Sequence, residues 1–419
     1  MITGASDDDP SAVITYAMVG ARLGTGIVWT MLYILPFMIV IQEMSARIGL
    51  SSSCGLAGNL KKYYSKTALF FIATLIIISN LFNIGADVYG MSAALELIIP
   101  WSSHLFSWLL VVIILLLVVY LPYRKIVAIF KWLTFSLFAY MVAALLVIDN
   151  WHLILIQLFV PALQSNRDYL LLFVAVAGTT ISPYLAFWQA SEEAEERKNE
   201  LGRSKNLVCR FRVFDDKDLE RTKIDTRIGM FFSNLIGFFI IALTGTLLFN
   251  AGIHNVETVK DIADALRPLA GDFAYFLFAI GIIGAGMLTI PILAGSSAYV
   301  LSEIFNWKGS LDKPFSKARE FYLVIIVATL LGLVIPYTGI TAVQALFWTA
   351  IIHGIVAPFL IIAVIHMANN PAIVGPNVNS RRANYFAFGS FVLMSSIMIT
   401  IFVLEFPTDR VMAIIGSMF

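Results

Sequence analysis

Residues 6–12 read SDDDPSA, three carboxylates against a proline, and a mostly apolar run follows. Proline lacks an amide hydrogen and disfavours helical geometry in the residue before it, so Pro10 interrupts a helix at Asp9. A second stretch of this kind is GTTISPY at 178–184, where Pro183 acts on Ser182 after Gly178, Thr179 and Thr180. Lipid-facing backbone must be hydrogen-bonded within its own segment. A break at membrane depth is tolerated only beside protein or a water-filled cavity. If both stretches lie in a membrane, they point to one internal site.

Composition puts them there. Of 419 residues 59% are hydrophobic and mean hydropathy is +0.85, which leaves too little polar surface for soluble domains. The chain reads as an integral membrane protein. Its charged residues, 13% of the total, cluster between apolar runs, and the net charge of +1 gives no reason to expect a nucleic-acid partner. No basic segment precedes a cleavable apolar core, so the start does not read as a signal peptide.

A helix needs about 20 apolar residues to cross the hydrocarbon layer. Eleven such runs are expected, at 2–23, 27–46, 67–98, 104–121, 126–148, 169–191, 228–250, 272–303, 320–337, 341–367 and 384–405. Lys and Arg favour the cytoplasmic side. The connections after the second, fourth, sixth, eighth and tenth spans, counted with Lys131 just inside the fifth span, hold 23 of the 28 basic residues; the others are Arg22, Arg167, Lys260, Arg267 and Arg410. This split predicts a cytoplasmic amino terminus. Cys54 and Cys209 then lie in cytoplasmic connections, where disulfides rarely persist, and neither a redox nor a metal-thiolate role is expected.

The breaks fall in the first and sixth spans. Five spans followed by five, each set opening on a discontinuous helix, match the inverted-repeat plan of many secondary transporters. The expected fold is thus an all-α membrane protein with a LeuT-like 5+5 inverted repeat, discontinuous helices 1 and 6, and an extra helix 11. It forms a single domain over 1–405, with repeat one at about 1–148, repeat two at about 169–367 and the extra helix at 384–405. Pro36 and Pro358 read as ordinary kinks. Residues 192–227, opening EEAEERKNE, form a charged cytoplasmic loop. Residues 256–269 place Val256, Val259, Ile262, Leu266 and Leu269 at helical spacing and read as an amphipathic helix on the outer face. GAGMLT at 284–289 suggests close helix packing through small residues.

An ionisable group inside the bilayer costs roughly 2.5–3.5 kcal/mol on insertion scales and generally faces a cavity or a partner. Asp9, at an unwound point facing Thr179, Thr180, Ser182 and Tyr184, offers an all-oxygen environment of the kind hard divalent cations prefer. The metal-contacting set is read as Asp9, Thr179 and Ser182, with Asp8, Ala12, Thr180, Tyr184 and Asp87 around the cavity. Asp7 and Asp8 also suit a helix cap or a solvated terminus, and Asp7 is expected to matter least. Asp87 either neighbours the site or bonds to Asn83 and Asn80 as a structural acid. Glu43 reads as a partner of Arg47, and Glu192, Glu193, Glu195 and Glu196 as a solvated face. His353 and Gln344 read as packed residues or cavity lining.

DPSA at 9–12, QEMSARIG at 42–49, ADVYGMSAAL at 86–95 and GTTISPY at 178–184 resemble the NRAMP divalent-metal transporters, and nearly the whole chain follows that family's order of spans. The family's first and sixth helices typically carry Asp-Pro-Gly-Asn and Met-Pro-His. Here the Asp is Asp9, Ala12 stands for the Asn, Ser182 for the Met and Tyr184 for the His, while Ile84 stands for one of two acids on the third helix. These departures resemble the NRAMP-related magnesium transporters. The resemblance implies import of divalent cations by alternating access, Mg²⁺ first and Mn²⁺ next. Loss of the soft Met leaves room for a partly hydrated ion, and Mg²⁺ keeps several waters. Without the family's His and second acid, transport is expected to run on membrane potential rather than protons; the potential supplies about 2.3 kcal/mol per charge per 100 mV.

The expected partners are the cation, as substrate, and the lipid bilayer, with no cofactor. The expected location is a bacterial plasma membrane. An organic-solute carrier such as an amino-acid transporter is the alternative on this architecture, opposed by the fixed anion at Asp9. A membrane enzyme finds no metal-protease motif, catalytic His pair or nucleophile elbow. Only Met1 to Asp9 precede the first break, while half of a roughly 30 Å layer needs about ten helical residues. Either the inner half-helix is short and water reaches the site from below, or a leading segment is missing.

Overall fold

The computed structural model describes residues 7–121, 137–200, 216–267, 271–311 and 313–405, with Lys125, Ala128, Trp132, Cys209 and Phe211 between them. Among these residues all regular structure is helical. In chain order the α-helices are α1 (Pro10–Leu23), α2 (Trp29–Ser52), α3 (Leu56–Tyr63), α4 (Lys66–Glu96), α5 (Ser103–Tyr120), α6 (Phe138–Val147), α7 (Trp151–Phe159) and α8 (Arg167–Thr180). They continue as α9 (Pro183–Glu200), α10 (Asp216–Thr244), α11 (Val259–Ala263), α12 (Ala274–Phe305), α13 (Arg319–Gly332), α14 (Ala342–Ala368), α15 (Pro371–Val374) and α16 (Arg381–Glu405).

Local sequence explains where many of these start. Ser65, Asn150 and Asn166 cap α4, α7 and α8 through their side chains. Thr341 and Gln344 form a capping box at α14, so Gln344 serves that helix end and not a cavity. Nine stretches among the described residues are long and apolar enough to cross a membrane, in agreement with the second to fourth and sixth to eleventh expected spans. Nine residues of the fifth expected span lie outside the described residues, and its later part forms α6. Helix α7, in the connection before the sixth span, was not anticipated.

Helix α1 is the axis of the bundle. Every residue from Pro10 to Ala21 is buried, and the helix packs against α4, α8, α10, α12 and α14. In lipid, helices associate through close packing more than through hydrophobic transfer, and small residues permit that approach. Gly20 faces the Thr244 hydroxyl and Ile241 carbonyl of α10; Gly178 faces the Ala350 carbonyl of α14. Gly286, in the small-residue stretch of α12, lies against Met91 and Pro10. Phe70, Leu105, Leu109, Leu323, Leu331 and Phe388 are exposed on the outer helices α4, α5, α13 and α16, as a lipid-facing surface requires.

Four expectations change at the two ends of the bundle, the first three of them at the end carrying the basic connections. Cys54 and Cys209 form a disulfide, joining the α2–α3 junction to the α9–α10 connection. Sequence spacing could not reveal a pair separated by 155 residues. Arg227, not Arg47, pairs with Glu43, at 2.5 Å, while Arg47 donates to Asn379. The glutamates after the sixth span are not simply solvated. Glu193 accepts from Gln189 and Thr222, and Glu195 accepts from Tyr299 and Ser310. Finally, among the described residues the stretch at 256–269 shows a helix over Val259–Ala263 followed by a 3₁₀ turn over Asp264–Leu266. Val256, Val259 and Ile262 are buried against the bundle, and Leu269 lies outside the described residues.

Candidate cation site at the paired helix breaks

The first break is built around Asp9. Its backbone is extended, with φ −71° and ψ 168°, and Pro10 opens α1 behind it. Asp9 Oδ1 accepts from the Ala12 amide at 2.7 Å and from Ser11 Oγ at 2.7 Å; Oδ2 accepts from Asn83 Nδ2 at 3.0 Å. The capping role assigned by sequence to Asp7 and Asp8 therefore belongs to Asp9. A carboxylate has about four lone-pair sites, and these three bonds leave about one. Ala12 is buried at α1's third residue and contributes its amide to that cap.

Asp7 and Asp8 are buried, each 2% exposed, which overturns the expectation of a solvated Asp7. The chain ahead of α1 turns under α10, where Ser233 Oγ lies 2.7 Å from Asp7 Oδ2 and 3.0 Å from Asp8 Oδ1. One hydroxyl proton is thus shared between two carboxyls. Their other oxygens are not equally served, since Asp7 Oδ1 is buried without a partner.

The second break separates α8 from α9. Ile181 ends α8 with ψ near 70°, its amide bonding to Ala177, and Pro183 opens α9. Ser182 Oγ donates to the freed Thr179 carbonyl at 2.6 Å and lies beside the Asp7 carboxyl. Thr180 Oγ1 donates to Val176 at 2.7 Å and stands 2.9 Å from Tyr16 of α1. Tyr184 is fully buried, its ring centroid 5.6 Å from that of His353, whose two ring nitrogens have no hydrogen-bond partner. The carboxyls of Asp9, Asp7, Asp87 and Asp8 all lie within electrostatic range of Tyr184.

Helix α4 closes the third side. Asn83 binds Asp9, and Asn80 donates to Leu293 and Ser297 of α12 at 3.2 and 3.0 Å. The structural reading of Asp87 as a partner of these two asparagines therefore fails. Both Asp87 oxygens are buried without a hydrogen-bond partner; the Ser11 backbone faces them without completing one. Asn83 and Ser233 are site residues that sequence reading missed. Asn83 carried a signal, an amide inside a long apolar run, whereas Ser233 carried none. Met91, one turn past Asp87, brings a thioether near Pro10.

Among the described residues no three His, Cys, Asp or Glu side chains converge as a metal cluster. What converges instead is a set of carboxyl, amide, hydroxyl and carbonyl oxygens at two unwound points. Two half-open helix ends facing each other across a buried acidic centre, inside a bundle of membrane-length helices, define a membrane transporter and not an enzyme. The chain belongs to the Nramp family, natural resistance-associated macrophage protein-like, whose sequence profile matches residues 1–404.

Relatives agree over nearly full length. The chain is 25% identical over 406 residues to "Divalent metal cation transporter MntH" of Staphylococcus haemolyticus, covering 92% of this chain and 86% of that one. It is 23% identical over 419 residues to the protein of the same name from Staphylococcus aureus, covering 95% and 88%. Among solved structures it resembles the Eremococcus coleocola manganese transporter in complex with an aromatic bis-isothiourea substituted compound. The TM-score is 0.73 at 16% identity, with coverage of 100% of this chain and 90% of that one. MhsT in complex with L-phenylalanine gives a TM-score of 0.58 at 12% identity, covering 97% of each chain. The fold is the LeuT-like one, with discontinuous first and sixth spans and an added eleventh.

Proposed function

We propose that this protein carries divalent metal cations across the membrane by alternating access, with Mg²⁺ the preferred cargo and Mn²⁺ next. The observation that carries the reading is the burial of Asp7, Asp8 and Asp9 at the first break, opposite the second break and beside Asp87. Four buried carboxyls within range of one tyrosine are expensive without a cation and would repel a substrate carboxylate, which weighs against an amino-acid carrier. Asp9, Thr179 and Ser182 are the proposed contacts; Asp8, Ala12, Thr180, Tyr184 and Asp87 shape the space around them. In this role Thr179 offers its carbonyl oxygen, and Asp9 contacts the ion directly or through water.

Few converging side chains and a hydroxyl at Ser182 suit an ion that keeps several waters, as Mg²⁺ does. Mn²⁺ is also served by carboxylate, carbonyl and water oxygens, and it is proposed as the second cargo. We further propose that the end bearing the basic connections is cytoplasmic and that membrane potential drives uptake without protons. The relatives named as manganese and divalent metal transporters support cation cargo in general; the Mg²⁺ preference rests on Ala12, Ser182 and Tyr184.

Uptake of Mg²⁺ and Mn²⁺ by vesicles containing the purified protein tests this directly. Flux that rises with an inside-negative potential, leaves an internal pH dye unchanged and disappears in Asp9→Ala is expected. Undiminished flux in Asp9→Ala would sink the site. Acidification in step with metal entry would sink the uncoupled mechanism.

A further inference from the structure

A buried polar atom without a partner costs about 1–3 kcal/mol, so the kind of atom left over indicates what a site is built to receive. Among the carboxyl and amide groups around the first break, the leftover atoms are acceptor oxygens: Asp7 Oδ1, Asn80 Oδ1, Asn83 Oδ1 and both oxygens of Asp87. The amide donors nearby are used, Asn83 Nδ2 on Asp9 and Asn80 Nδ2 on α12. A surplus of oxygen acceptors is the complement of a cation.

Asn83 is the amide in this set that bonds to Asp9, and it can present either end to it. It is fully buried on α4, and its terminal amide presents a donor to Asp9 while its carbonyl oxygen goes unused. Half a turn of the amide about its last bond exchanges the two ends. With no cation present, the donor end facing Asp9 is favoured, because two oxygens would repel. Once a divalent ion sits against Asp9, the donor end would face a positive charge, and the oxygen end is favoured instead. Asp87 lies one helical turn further along α4, within electrostatic range of Asp9, and contributes negative charge on the same side.

We propose that Asn83 is a direct ligand of the transported cation, contributing Oδ1 after its amide turns over, so that α4 joins the two broken helices as a third wall of the site. This rests on the reading of the protein as a divalent-cation transporter. Ala12 has no donor atom in its side chain, and Asn83 supplies an amide oxygen from across the space.

Loss of affinity in Asn83→Ala would not separate a ligand from a positioning residue, since removing either weakens metal binding by about 10–100-fold. A change of donor atom does. The full-length protein is purified in detergent with the Cys54–Cys209 pair intact, and Mn²⁺ and Cd²⁺ dissociation constants are measured for wild type, Asn83→Cys and Asn83→Asp. Sulfur in contact with the ion favours soft Cd²⁺ over Mn²⁺. The Cys variant is expected to raise the Cd²⁺ preference about tenfold or more. The Asp variant, which keeps an oxygen but loses the donor, is expected to hold Mn²⁺ within about threefold of wild type.

An unchanged Cd²⁺ preference in Asn83→Cys overturns the proposal. So does loss of Mn²⁺ binding in Asn83→Asp, because a residue that only positions Asp9 needs its N–H; this arm decides the matter if the Cys variant does not fold. If wild type itself binds none of Mg²⁺, Mn²⁺ and Cd²⁺, it is the transport reading that fails. That outcome differs from wild-type binding abolished by Asp9→Ala with the Cys variant unmoved, in which Asn83 alone is excluded.

Discussion

The Tyr16 hydroxyl on α1 stands 2.9 Å from Thr180 Oγ1, the last residue of α8, and so ties the helix after one break to the helix before the other. Because Thr180 Oγ1 already donates to Val176, Tyr16 must be the donor. A buried neutral hydrogen bond of this kind contributes about 0.5–1.5 kcal/mol. Tyr16→Phe is expected to lower the melting temperature by about 2 °C or less. Cation uptake, measured in vesicles, is expected to change by more than this small loss of stability would suggest, since the two breaks would be free to move apart. A variant with wild-type melting and wild-type flux would show that the contact does neither job.

Asp9 both caps α1 and faces the site, and the two roles separate by substitution. Asn is about as good a cap as Asp, whereas Ala costs roughly 1 kcal/mol. Asp9→Asn is therefore expected to keep most of the thermal stability and lose cation uptake, while Asp9→Ala loses both. Equal uptake by Asp9→Asn and wild type would remove the carboxylate from the mechanism.

Asp7 and Asp8 share the single hydroxyl of Ser233. Ser233→Ala leaves two buried carboxyls without that donor, and a melting temperature several degrees below wild type is expected in cation-free buffer. Adding Mg²⁺ or Mn²⁺ should raise the melting temperature of wild type, since a ligand at about 100 times its dissociation constant adds about 2.7 kcal/mol. K⁺ at matched ionic strength should not. An equal response to K⁺ would point to screening and away from a binding site.

Cys54 and Cys209 join the α2–α3 junction to the α9–α10 connection, where Lys62 and Tyr63 also hold the Cys209 carbonyl. Purified without reductant, the protein is expected to take up no maleimide mass tag, and two after reduction. Removing a disulfide typically costs about 2–4 kcal/mol. Cys54→Ser should accordingly melt at the temperature of the reduced wild type and below the oxidised one. Two tags on the unreduced protein would show that the pair does not form.

Helix α4 illustrates what the chain of letters holds and what it does not. An apolar run of that length reads as a span from composition, and its ends are set locally, by Ser65 capping the first turn. That Asn83 reaches Asp9 while Asn80, a single turn earlier, reaches α12 depends on how α4 is rotated against two neighbours. Nothing within α4 specifies that rotation. The same holds at the basic end, where Glu43 passes over the helical neighbour Arg47 for Arg227, distant in sequence by 184 residues. Helical spacing offered the first partner, but packing of α2 against α10 supplied the second.

By itself the sequence determined that this is a membrane protein, where its spans run, and where two helices must break. Each of these is a local property: hydrophobic length against bilayer thickness, and a proline that cannot donate its amide. Tertiary structure alone decided that Asp9 is the cap, that Asp7 and Asp8 are buried on Ser233, that Asp87 is left without its expected asparagines and that two distant cysteines meet. Such pairings join residues far apart in sequence, and they are fixed by the approach of whole helices, which close-packed small residues such as Gly20 and Gly178 permit.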